Sequence, residues 1–155
     1  MIFKITYAII QITVIITIIK KGRERMERTI KYSRQREAIK EMLCSRYDHP
    51  TAEQLYSDLK ADYPKLSLGT VYRNLGLLVN MGEAIKISTS ADSERYDGNV
   101  HNHYHMACTK CGSVIDVDLP VNQALEALAE EATNADIKTH SLIFYGICKN
   151  CKKNA

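Results

Sequence analysis

The sequence predicts an α+β fold in two parts, a winged helix-turn-helix followed by a small α/β domain. Three observations carry this. Three helical periodicities follow one another between residues 33 and 82 and lead into a hairpin pattern. Strand-like segments take over after Gly98-Asn99. Two Cys-x-x-Cys pairs, Cys108/Cys111 and Cys148/Cys151, bracket the region that follows.

A chain of 155 residues suffices for one ordinary domain or two small ones. A domain of about 65 residues is marginal on its core alone and gains from a metal staple. The expected division is 1–25, an extension; 26–97, the winged helix; and 98–155, the metal-binding α/β part. Charge supports setting the extension apart. Residues 1–25 hold five basic groups and one acid, and without them the net charge falls from +3 to −1. Residues 26–86 then carry 10 basic and 8 acidic groups, residues 87–155 carry 6 and 9, so any nucleic-acid contact belongs to the first half.

Ile5–Ile19 is uncharged and rich in Ile, Val and Thr. Its 15 residues fall short of the ~20 a spanning helix needs, and it lacks a small-residue cleavage site. Lys20-Lys21-Gly22-Arg23-Glu24-Arg25 can be encoded almost wholly by purines, as a bacterial ribosome-binding site is, and Met26 follows. The expectation is translation from Met26; the alternative is an anchor whose basic flank keeps the remainder in the cytoplasm.

Ser33 caps a first predicted helix from Arg34 to about Cys44, with Ile39, Met42 and Leu43 inward and Cys44 read as core. Asp48-His49-Pro50 breaks the pattern. Thr51 caps a second helix with Leu55 and Leu59 inward, ended by Pro64. Ser67 or Leu68 opens a third, with Val71, Leu75, Leu78 and Val79 inward, and Gly82 stops it after Met81. Residues 84–88 and 94–97 read as a hairpin, the wing. Beyond Gly98-Asn99 the pattern predicts strands at 101–107 and 113–119, a helix over 121–133 with Ala124, Leu125 and Leu128 inward, and a strand at 137–147.

Four paired cysteines offer four thiolates for tetrahedral zinc, and a full thiolate shell leaves no open position for catalysis. The alternative is two free or redox-active pairs. The pairing, with lysines nearby and no secretion signal, favours a reducing cytoplasm over disulfides. His101, His103 and His105 alternate along a predicted strand and so share one face. With Asp97 and Asp116 near, they make a candidate nitrogen/oxygen metal site, against the alternative of surface histidines. On the third helix, Thr70, Tyr72, Arg73 and Asn74 are read as facing away from the core, for base and phosphate contact or as a solvated face.

Taken together, Ser33-Arg34-Gln35-Arg36, His49-Pro50-Thr51-Ala52, Thr70-Val71-Tyr72-Arg73-Asn74-Leu75, Arg95-Tyr96-Asp97, His103-Tyr104-His105 and the two Cys pairs resemble the ferric-uptake-regulator family of bacterial metal-dependent repressors. The resemblance spans roughly residues 28–151. It implies a homodimer whose α/β part is the dimerisation domain, with structural Zn2+ on Cys108, Cys111, Cys148 and Cys151. It implies a regulatory Fe2+ or Mn2+ on His49, Asp97, His103, His105 and Asp116, drawn from both domains. It also implies an inverted-repeat double-stranded DNA operator contacted through Arg34, Ser67, Thr70, Tyr72, Arg73 and Asn74, a cytoplasmic location and no membrane partner. Asp97 and Asp116 stand where iron sensors usually carry Glu, and His-Tyr-His is common in peroxide sensors. The resemblance therefore implies iron-catalysed oxidation of His49 or His103 by hydrogen peroxide. Arg73 departs from the Asn of some peroxide sensors. His140 is read as structural or surface rather than as an accessory ligand.

The expected function is a metal-dependent transcriptional repressor that senses peroxide, not an enzyme. An iron-responsive repressor is the alternative within the family. A small non-haem iron enzyme using His103, His105 and one Asp, or a plain zinc module, are alternatives outside it.

Overall fold

The computed structural model describes residues 32–89 and 94–153. The apolar run Ile5–Ile19 and the start at Met26 lie outside the described residues. Among the described residues, no helix is long and apolar enough to cross a membrane.

Helix α1 spans Arg34–Cys44, α2 Ala52–Leu59 and α3 Leu68–Met81. Their ends have physical causes. Thr51 and Gln54 form a reciprocal capping box on α2. The Ser67 hydroxyl accepts from the Thr70 N–H at the start of α3. Gly82 ends α3 in the left-handed conformation (φ 72), and the next N–H, of Glu83, donates to the Leu78 carbonyl at 2.8 Å. The three helices enclose the main core, built on Ile39, Leu43, Leu55, Val71, Leu75 and Leu78, with Tyr96 packed against it. Cys44 departs from the core reading. It is exposed at the last turn of α1, where its thiol meets the Gly98 carbonyl at 3.8 Å.

Strands β1 (Ile85–Ile87) and β2 (Arg95–Asp97) pair antiparallel as the expected hairpin, with Ile85 opposite Asp97. A second sheet has the order β4-β3-β5, with β3 Tyr104–Cys108, β4 Val114–Val117 and β5 Ile143–Gly146. β3 pairs antiparallel with β4 and parallel with β5, and this register sets His105 opposite Asp116. All three strands are shorter than their hydropathy patterns. Before β3, Asn99 folds its side chain onto the His101 N–H. Before β5, pairing begins only where β3 is there to receive it, at Ile143.

Helix α4 (Ala124–Thr133) starts later than expected, because Asn122 turns its side chain onto the Ala124 N–H. It buries no residue: Leu125 and Leu128 are exposed, against the inward reading of that face. A short helix, α5 (Lys149–Lys153), follows the last strand and has no counterpart in the sequence reading. The second core is small: Ile87 of the wing with Ala107 and Val114 of the sheet.

Candidate metal centre

Among the described residues, two groups of side chains could hold a metal ion, each with its donor atoms within 4.8 Å of one another. Both depend on the β3–β4 hairpin. His105 lies near the start of β3, with His103 just before the strand, and Cys108 lies at its end; Asp116 lies on β4.

The thiol group consists of Cys108, Cys111, Cys148 and Cys151, all free of disulfides. A tight turn closed by Gly112 (φ 69) folds the first pair, with the Gly112 N–H on the Cys108 carbonyl at 2.9 Å. The Cys111 and Cys148 sulfurs are 3.8 Å apart. Zinc–sulfur bonds of about 2.3 Å in a tetrahedron give an edge of about 3.8 Å. Backbone amides also point at sulfur, from Cys148 onto Cys108 at 3.3 Å and from Cys151 onto Cys148 at 3.5 Å. The Cys148 N–H, with help from that of Cys111, pulls the Cys108 thiol down to about 6. Contact with the Cys111 and Cys148 sulfurs pushes Cys151 up to about 12. One thiolate is readily formed and the last is costly without a cation in the middle. The geometry therefore fits a thiolate-bound divalent ion.

The second group is His49, Asp97, His103, His105 and Asp116. His49 comes from the loop between α1 and α2, Asp97 from the end of the wing, and the other three from the region of the β3–β4 hairpin. The imidazoles cluster, His103 to His105 at 4.4 Å and His49 to His105 at 5.0 Å between ring centres. Their Nε2 atoms converge on two carboxylate oxygens. His103 is 3.1 Å from Asp97 Oδ2 and 3.2 Å from Asp116 Oδ1. His49 is 2.9 Å from Asp116 and 3.6 Å from Asp97. His105 stands 3.5 Å from Asp97.

The remaining polar atoms are aimed from behind. His49 Nδ1 faces the Val114 carbonyl at 3.3 Å, and His103 Nδ1 faces the His101 carbonyl at 2.7 Å. The Asn99 N–H donates to Asp97 Oδ1 at 2.7 Å. Asp97 Oδ2 and His105 Nε2 are buried without an aligned hydrogen-bond partner. Buried polar atoms without partners are rare and costly. Here they point at the common centre of five donors, which is what a cation would satisfy. Three imidazoles and two carboxylates suit a divalent first-row metal.

The charges agree. Burial alone would raise the Asp97 carboxyl, but the His105 and His49 imidazoles beside it and the Asn99 N–H hold it well below the usual carboxylate range. Burial pulls His49 down, and the Asp97 carboxylate, with the charge of Asp116, more than reverses it, so its pKa is raised.

His101 stays outside the cluster: it is exposed, and it contributes its backbone carbonyl rather than its ring. His101 and His103 precede the strand, which begins at Tyr104, so strand alternation does not give them a shared face with His105. His140 belongs to neither group. Its Nδ1 lies 2.8 Å from Glu126 and its Nε2 2.9 Å from the hydroxyl of buried Tyr104. The Val114 carbonyl behind His49 escaped the sequence reading because a backbone acceptor leaves no side-chain signal.

On α3, Tyr72 and Arg73 are exposed, Thr70 is half-buried, and Arg34 is exposed at the start of α1. Ser67 is occupied as the cap of α3, and the Tyr72 hydroxyl donates to the Glu53 carboxylate. Asn74 corrects the sequence reading. It is 5% exposed and lies on the core face with Val71, Leu75 and Leu78, where no base can reach it. Three residues after Val71 and four before Leu78, it falls on the apolar stripe by helical spacing.

Comparison with known proteins follows the same lines. The family model described as the Ferric uptake regulator family matches residues 27–145. The peroxide-responsive repressor PerR of Staphylococcus epidermidis is 37% identical over 124 residues, covering 80% of this chain and 83% of the relative. The solved structure of the Campylobacter jejuni peroxide stress regulator aligns with a TM-score of 0.64 and 29% identity, over 88% of this chain and 98% of that one. The ferric uptake regulator of Helicobacter pylori shares the fold, with a TM-score of 0.69 at 23% identity over 88% and 92% of the two chains. On the match over residues 27–145 and the 37% identity, the chain belongs to the Ferric uptake regulator family.

Proposed function

We propose that the chain is a homodimeric, metal-dependent transcriptional repressor that releases its DNA operator when hydrogen peroxide oxidises a ligand histidine. The observation that carries this is the origin of the five converging donors. His49 and Asp97 belong to the winged-helix half, and His103, His105 and Asp116 to the α/β half. Filling such a centre fixes one half against the other, so occupancy selects one arrangement of the reading helix α3. The similar proteins named for peroxide response support the choice of signal.

In this reading, 26–97 contacts DNA and 98–155 makes the dimer. Arg34, Thr70, Tyr72 and Arg73 would face an inverted-repeat operator, with Ser67 capping α3 beside the phosphates. Leu125 and Leu128 of α4, with Phe144 and Tyr145 of β5, are exposed apolar side chains that a second copy would cover. Cys108, Cys111, Cys148 and Cys151 would hold zinc, and His49, Asp97, His103, His105 and Asp116 would hold iron or manganese. Bound ferrous iron supplies the redox chemistry that activates peroxide.

His49 and His103 present Nε2 to the shared centre, each with Nδ1 fixed by a backbone carbonyl. On oxidation the peroxide O–O bond breaks, one oxygen ends on an imidazole carbon and the other leaves as water. The altered ring no longer fits between Asp97 and Asp116, and the two halves lose their common tie. The test is operator binding by the iron-loaded and manganese-loaded protein, before and after peroxide. Release of the iron form alone, with a His49 or His103 peptide heavier by about 16 Da, is the expected outcome. Equal insensitivity of both forms would refute peroxide sensing.

A further inference from the structure

His49 is held in the left-handed backbone region (φ 48), which side chains other than glycine rarely adopt. The residue after it is Pro50, and a residue before proline prefers an extended conformation. Something must hold the strained peptide in place, and the restraint comes from strand β2. The Arg95 guanidinium donates from Nη1 to the His49 carbonyl at 2.9 Å. One residue on, the Tyr96 N–H donates to the Pro50 carbonyl at 3.0 Å. Arg95 Nε is buried with no hydrogen-bond partner, which costs free energy. Strain and unsatisfied groups of this kind collect where geometry serves function.

We propose that Arg95 is a positioning residue for the five-donor cluster. It pins the left-handed His49 peptide so that Nε2 faces Asp97 and Asp116. The strand that supplies the Asp97 carboxylate thereby also sets the imidazole 48 residues earlier in the chain. Without the carbonyl clamp, the 48–50 loop relaxes toward the extended conformation and swings the ring off the centre. This inference rests on the reading of that cluster as a metal site.

The test uses the full-length, zinc-loaded protein, as wild type, Arg95→Met and Arg95→Lys. Methionine keeps an unbranched stem and removes every donor; lysine restores one. Co2+ is titrated into the second site and followed by its visible absorption. In the same proteins without added metal, the His49 ring signals are recorded by NMR, and exchange of the Ile85 and Ile87 amides, in the β1–β2 ladder, reports the integrity of the wing. Arg95→Met is expected to bind Co2+ tenfold or more weakly, as loss of an orienting partner does, with an altered spectrum. Its His49 ring signals should move while Ile85 and Ile87 stay protected, and Arg95→Lys should recover most of the affinity. Wild-type affinity and spectrum in Arg95→Met, or unmoved His49 signals, would overturn the proposal. So would loss of Ile85 and Ile87 protection that lysine does not restore, which assigns Arg95 to folding alone. Failure of the wild type to bind Co2+ at this site would instead overturn the metal reading, and the NMR comparison would still decide the clamp.

Discussion

At the scale of single residues, Asp97 is where burial, charge and metal chemistry meet. Its carboxyl is held below the ordinary range, so in the metal-free protein it stabilises the fold above about pH 4, the usual carboxylate pKa, and that contribution is lost as the pH falls. His49 has the opposite sign. Its raised pKa stabilises the fold below the unfolded value of about 6.5, and that contribution disappears as the pH rises through the folded value. Stability of the metal-free protein should therefore peak in weakly acid solution. Asp97→Asn should flatten both limbs, because His49 loses its main partner. Denaturant midpoints measured from pH 3 to 8 check this; an unchanged acid limb in the variant would refute it. The sequence made the five donors nameable but not their supports. The Val114 carbonyl and the left-handed turn at His49 come from tertiary placement, which side-chain spacing does not record.

At the scale of elements, the helices were legible because each carries its own punctuation. Thr51, Ser67 and Gly82 stop or start them where the structure does. Thr51→Ala removes one arm of the capping box two residues after His49. It should cost about 1 kcal/mol, read as a lower thermal midpoint with metal stoichiometry intact. The strands were less legible, because a strand ends where its neighbour ends, and only the ladder of β3 with β4 and β5 shows that. Gly98 is another feature of assembly. A Cβ there would lie 2.8 Å from the Cys44 backbone, so the wing strand leaves Asp97 by sliding directly under the end of α1. Gly98→Ala should cost about 1–3 kcal/mol, as overpacking does. It should also displace the neighbouring carboxylate, weakening the second metal site more than the thiol site. Wild-type affinity at both sites, by titration with Mn2+ and Zn2+, would show that the packing is local.

At the scale of the whole molecule, the two halves are built on unequal cores. The three helices close over a dozen buried residues, whereas the sheet shares a cluster of three with the wing. The thiol group compensates for this. Cys108 and Cys111 lie at the end of the β3–β4 hairpin, and Cys148 and Cys151 follow β5, so a bound ion ties the chain's last strand to the sheet centre. α4 buries none of its residues and meets the rest of its chain through polar contacts such as Glu126 with His140; in the proposed dimer a second copy would cover its exposed leucines. Stripping the ion with a chelator, or replacing Cys148 by Ser, should therefore act on one half first. β5 should detach, the exposed Phe144 and Tyr145 side chains should lose their fixed arrangement, and the proposed dimer should fall apart by sedimentation. The helical circular dichroism of α1 to α3 should survive, because that core contains no ligand of the thiol group. Limited proteolysis should then cut between residues 109 and 147 while leaving 34–89 protected. Loss of helical signal in step with zinc would overturn this division, by showing that the helical core cannot stand without the sheet.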